Sequence, residues 1–243
     1  MNLTKLVQVY VMNQTIGSPI FISDIMHYIE QFVDDTKKCH QIRKNVNVIL
    51  MRMVKDGNCL KRFGTGVYYR DDLDQTEETG IDSIELIKRT YIADKSGNIF
   101  GYLTGEAFLH KLTLIENPSS EILIATNAKR NGNIETTDME FKLVNPPTTV
   151  SRENYRYLQM LDLIKNDLIN GNNLQYSFAL THFMNDHHLK EANLVALAVD
   201  FYSQKVVLKV AEFISNKVYM EEQKDEIIIT LDTTKQKELY END

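Results

Sequence analysis

The chain has 243 residues, 43% of them hydrophobic and 25% charged, which is enough apolar content for a packed core and too much for wholesale disorder. Its formal charge of −7 argues, taken whole, against a nucleic-acid partner, but the charge is unevenly spread. Residues 1–70 carry ten Lys/Arg against five Asp/Glu, whereas residues 71–243 carry 17 against 29.

At roughly 150 residues per domain, the length fits one large domain or two modest ones. Cys39 and Cys59 form no CxxC pair, which suits a reducing compartment and predicts neither a disulfide framework nor a zinc site. No apolar run approaches the roughly 18–20 residues of a membrane span. The apolar stretch 6–11 is interrupted by Gln8 and lacks a small-residue cleavage site, so no signal peptide is expected. The expectation is a soluble cytoplasmic protein.

Leu3, Leu6, Val7 and Tyr10 recur at helical spacing and predict an N-terminal amphipathic helix, stopped by Gly17-Ser18-Pro19. Ile20-Phe21-Ile22 is short and β-prone. Ser23-Asp24 offers an N-cap for a second helix with Ile25, Ile29 and Phe32 on its buried face. Asp34-Asp35-Thr36 is a second cap cluster. It opens a long helix running to about Lys55, with an apolar stripe of Ile42, Val46, Leu50 and Met53 and a stop at Gly57-Asn58. Residues 59–63 and 67–70 flank Gly64-Thr65-Gly66 as a β-hairpin.

The acidic stretch 71–79 reads as a linker. Beyond it the pattern predicts a helix over 83–92, a strand over 98–103 and a helix over 104–114 capped by Thr104. Strands follow over 121–126 and 139–144, with Asn131-Gly132 a turn between them, and Pro146-Pro147 breaks the chain. The remainder is helical. Tyr155, Leu158, Leu161 and Leu168 mark a helix over 152–169, followed by a loop over 170–173 and a helix over 175–185. The stretch 189–219 reads as two helices joined near Tyr202-Ser203, and 235–243 as a frayed end.

The expected fold class is therefore α+β. A winged helix-turn-helix domain occupies 1–72, and a mixed α/β domain occupies 80–243, with a small sheet at about 97–145 and a helical bundle at about 152–220. Three helices closed by a hairpin is the winged-helix plan, whose reading helix enters the major groove. Here that helix carries Lys37, Lys38, Gln41, Arg43, Lys44 and Asn45, and no acidic residue interrupts 36–55. Lys and Arg neutralise phosphates, while Gln and Asn pair with adenine edges. Lys61 and Arg62 lie on the hairpin, where a wing meets the backbone or minor groove. The competing reading of these residues is a solvated basic helix face.

The helix before Gly57 and the hairpin ending in Gly66-Val67-Tyr68-Tyr69-Arg70 resemble the N-terminal winged helix of the AbiEi-type antitoxin family. The resemblance continues in order through most of 1–210. It includes Phe100-Gly101-Tyr102-Leu103-Thr104-Gly105-Glu106-Ala107-Phe108, the strand Ile122-Leu123-Ile124-Ala125-Thr126-Asn127 and the helix segment Tyr155-Arg156-Tyr157-Leu158-Gln159. The long segment 128–137 departs from the family, whose corresponding loop is often shorter. The resemblance implies a non-enzymatic, cofactor-free antitoxin of an abortive-infection, type IV toxin–antitoxin system. Such a protein is a transcriptional autorepressor that binds inverted repeats in its own promoter. It also counteracts a nucleotidyltransferase-type toxin, without a stable complex being implied.

Other clusters carry competing chemistry. His182 and Asp186 share a helix face at i,i+4. His187 and His188 diverge by about 100°, so no complete metal set forms. Glu140-Phe141-Lys142 with Glu121 is similar to the E-x-K of metal-dependent nucleases, which defines an alternative: a winged helix fused to a nuclease-like domain. Alternating strand faces also produce such pairs without function. Gly64-Thr65-Gly66 lacks the run of a phosphate loop. Tyr155, Tyr157, Leu158 and Leu161 read as core or interface. A third reading is a repressor whose C-terminal domain binds a small molecule or dimerises.

Overall fold

The computed structural model describes residues 2–32, 39–57, 59–72, 80–119, 121–128, 140–166 and 174–222. Their fold is mixed α+β with two small sheets, distributed over two compact units, one within Met1–Gly97 and the other from Asn98 onward. The expected cap cluster 34–36, most of the linker 71–79, the turn at 131–132, the loop 170–173 and the end 235–243 lie outside the described residues.

In the first unit α1 (Leu3–Met12) is capped by Asn2, whose side chain accepts from the Thr4 N–H at 3.0 Å. The chain then forms β1 (Pro19–Phe21), α2 (Ile22–Glu30), α3 (Cys39–Lys55), β2 (Leu60–Gly64) and β3 (Val67–Arg70). The sheet is antiparallel in the order β1-β3-β2, so β1 closes the free edge of the hairpin. Leu6, Val7, Ile25, Ile29, Val46, Leu50 and Tyr68 fill the core between the helices and one sheet face. Gly57 ends α3 with φ +68, a left-handed conformation that favours glycine. Arg70 donates through Nη1 to the carbonyls of Met12 and Gln14, both at 2.8 Å, and so places a cation at the carbonyl end of α1.

Two expectations change here. Ser23 does not cap α2. The helix starts at Ile22 with Phe21 at the cap position, two residues earlier than a Ser23 cap implies, and the Ile22 N–H donates to the Gly66 carbonyl at 3.2 Å. Phe32 is not on the buried face; it is 52% exposed and packs edge-on against Tyr28.

Residues 80–97, which the sequence reading groups with the second domain, belong to the first unit. Their helix α4 (Ser83–Tyr91) is capped by Asp82, whose side chain accepts from the Glu85 N–H at 2.9 Å. It is tied to α2 by an Arg89–Asp24 ion pair of 2.7 Å, with side chains only 11% and 10% exposed. Ser18 Oγ donates to Glu85 at 3.0 Å.

The second unit holds β4 (Gly101–Thr104), α5 (Glu106–Lys111), β5 (Ile122–Thr126), β6 (Phe141–Val144) and α6–α9 (Tyr155–Lys165, Leu174–Asp186, Glu191–Phe201, Gln204–Glu222). The break between the last two helices falls at 202–203, as the sequence predicts. β4 and β5 are antiparallel, but β5 and β6 run parallel, so these two strands are not the arms of a hairpin. Thr104 ends β4 instead of capping α5. Gly105 takes the N-cap position at φ 65 and ψ −146.

Helix α6 is the centre of this unit. Every residue from Tyr157 to Ile164 is buried, Gln159 and Asp162 included. Gln159 Nε2 donates to the Leu103 carbonyl at 3.0 Å. Asp162 accepts from Tyr102 at 2.9 Å and Thr104 at 3.4 Å on one oxygen, and from Tyr202 at 2.9 Å on the other. Three hydroxyls thus satisfy a buried carboxylate and join β4, α6 and the α8–α9 junction. Burial nonetheless pushes the Asp162 carboxyl above its ordinary range, the hydroxyl donors opposing that shift.

Candidate nucleic-acid interface

The candidate site is built on α3. Val46, Ile49, Leu50 and Met53 are buried and Ile42 packs against them, so the helix is anchored along one stripe. A 3.6-residue period then dictates what the opposite side shows. Gln41, Arg43, Lys44, Asn45, Val48, Met51, Arg52 and Lys55 are all exposed, and none is acidic. Gln41 Nε2 donates to Asn45 Oδ1 at 3.1 Å, bracing the two amides on successive turns. That bond leaves the Gln41 carbonyl and the Asn45 amino group as an outward acceptor and donor.

Four of the expected DNA contacts, Gln41, Arg43, Lys44 and Asn45, are therefore displayed together. Lys37 and Lys38 lie outside the described residues. The hairpin pair divides. Alternation along β2 sends Lys61 and Arg62 to opposite faces of the sheet. Lys61 lies 3.9 Å from Asp71, a carboxylate only 4% exposed. Arg62 pairs across the ladder with Tyr68, whose ring is in the core, so it lies on the sheet face that covers the helices. It is exposed, and its Nε donates to the Gly64 carbonyl at 3.2 Å across the irregularity between Arg62 and Gly64. Arg52 and Lys55 extend the basic face by two further turns. Their spacing from Lys44 and Val48 was the signal in the sequence that identifies them.

The other candidate clusters belong to the second unit. His182 Nδ1 and Asp186 Oδ2 are 3.0 Å apart, both side chains largely exposed. His187 stacks edge-on against Phe183, ring centroids 4.6 Å apart. The strand register sets Glu121 beside Glu140 at the start of β5 and β6, with Lys142 exposed on β6. Among the described residues no group of three or more His, Cys, Asp or Glu side chains can hold a metal ion. Cys59 is a free thiol. No described helix is long and apolar enough to cross a membrane. Comparison with protein-family models, curated proteins and solved structures finds no match to this chain.

Proposed function

We propose that this protein is a DNA-binding repressor of the antitoxin type, with a winged helix as its N-terminal unit and α3 as the helix that reads DNA. The acid-free polar face of α3 is the observation that carries the reading. Arg43, Lys44, Arg52 and Lys55 supply cations for phosphates. The outward acceptor of Gln41 and donor of Asn45 match the donor and acceptor on an adenine edge, and exposed Val48 suits a thymine methyl group. The element order, with sheet order β1-β3-β2, supports the winged-helix reading because it packs a hairpin beside the third helix.

The resemblance to AbiEi-type antitoxins carries the second half of the proposal. In it the protein represses its own operon through inverted repeats and counteracts a nucleotidyltransferase-type toxin without a cofactor. An electrophoretic shift with the promoter DNA upstream of its gene tests the DNA half. Arg43→Ala/Lys44→Ala is expected to weaken binding at least about tenfold at low salt. Absence of any shift, or a shift unchanged in the double variant, contradicts it. The antitoxin half is tested by co-expressing the full chain with a nucleotidyltransferase encoded beside it. Growth should be restored, and continued growth arrest contradicts that role.

A further inference from the structure

The second unit carries a groove of about 490 Å³ between α5 with its following turn and α7. That volume lies within the range of small-molecule pockets. Its floor is apolar: Phe108, Leu112, Leu114 and Phe183, with the Phe108 and Phe183 rings edge-on at 5.4 Å. Phe178 stands on the rim, 64% exposed, a large aromatic that the fold leaves in water. Beside it the rim is polar, with Lys111 on α5 and His182, Asp186 and His187 on α7.

The backbone fixes both walls of the groove. Two non-glycine residues among those described have positive φ, Thr113 at 58 and His188 at 52. Thr113 lines the groove just past the end of α5, and His188 follows groove-lining His187 just past α7. Each is a left-handed helix stop: the Leu114 N–H donates to the Leu109 carbonyl at 3.0 Å, and the Leu189 N–H to the Met184 carbonyl at 2.8 Å. The two helices that wall the groove therefore end at defined points beside it.

The charge around the groove has a sign. On the rim His182 Nδ1 and Asp186 Oδ2 lie 3.0 Å apart, so the acidic group there is already engaged. The groups bearing on His187 are Arg156 from α6, Lys111 from α5, and Asp186 and His188 from its own helix end. Burial, then Arg156, opposed by Asp186 and joined by Lys111 and His188, leaves its pKa below the ordinary histidine value. An anion placed there relieves that repulsion.

We propose that this groove binds a small organic carboxylate with an aryl- or alkyl-sized apolar body. The body lies on Leu112, Phe183 and Phe178, with the buried Phe108 ring beneath them, and the carboxylate faces Lys111 and His187.

Calorimetric titration of the full chain with 4-phenylbutyrate, against its neutral amide, is the test. At about pH 6 the acid should bind about tenfold or more tighter than the amide, and Lys111→Gln should remove about tenfold of that affinity. Phe178→Ser should weaken both ligands. The His187 ring resonances should move with added acid, while those of His27 in the first unit stay still. Equal binding of acid and amide, no binding of the acid up to about 10 mM, or an unchanged affinity in Lys111→Gln overturns the proposal.

Discussion

Asp162 shows how a single side chain organises the second unit. Tyr202→Phe deletes one of its hydroxyl partners and leaves a buried carboxylate oxygen short of a donor. A hydrogen bond to a charged group contributes about 1.5–3 kcal/mol, and a loss of that size is the expected change in unfolding free energy. Asp162→Asn acts in the opposite direction. The folded-state pKa of Asp162 is raised, so its contribution is present below the ordinary carboxylate range and is lost as pH rises through the raised value. The amide removes the buried charge and keeps one acceptor, while the tyrosine hydroxyls can accept from its amino group. Asp162→Asn should therefore flatten the fall in stability above about pH 4, as read by denaturant midpoints across pH. A steeper fall in the variant contradicts this account. Gly105 is a second residue-scale test. Its φ of 65 with ψ −146 is accessible essentially to glycine alone, and an added Cβ would lie 3.0 Å from Leu123 Cδ1. Gly105→Ala should cost about 2–3 kcal/mol by urea denaturation.

Among elements, α4 is held to α2 by an ion pair that is almost wholly out of water. Arg89→Met leaves Asp24 buried without its cation and should destabilise the first unit by about 3–5 kcal/mol, whereas replacing both partners with apolar residues should cost far less. A double-mutant cycle on thermal unfolding measures the difference. This attachment was not legible in the sequence, where the acidic run at 71–79 marks a linker. The chain does pass through that run, but Arg89 and Asp24 are 65 residues apart and only folding reveals their pairing. The helices α1 and α3 and the hairpin were legible because each is half-buried, so periodicity records the buried side. Helix α6 is marked in the sequence by Tyr155, Leu158, Leu161 and Leu168, but that pattern does not show that polar Gln159 and Asp162 are also buried and satisfied. The parallel pairing of β5 and β6 carries no local signal. The α3 face was legible because a single helix displays it, while the groove between α5 and α7 was not. Its histidines appeared in the sequence only as an incomplete metal set, since Phe108, Lys111 and Leu112, which complete the groove beside them, come from α5 and its turn some 70 residues earlier.

For the whole molecule, the net charge of −7 is a poor guide to partners, and so is the charge of a unit. Residues 1–97 carry thirteen residues of each sign, so this stretch has no net charge. Its basic character is concentrated in 37–70, where nine Lys/Arg stand against one acid, Asp56, and α3 itself carries none, while carboxylates gather around α4 and the segment before it. Attraction to DNA should therefore come from one helix face and be short in range. The salt dependence of affinity for promoter DNA, measured for the full chain and for Arg43→Ala/Lys44→Ala, tests this most directly. Each phosphate contact contributes about −0.9 to the slope of log affinity against log salt, so the double variant should bind more weakly with a slope shallower by about 2. Identical slopes for the two proteins, or no binding at low salt, would contradict a DNA-reading role for α3.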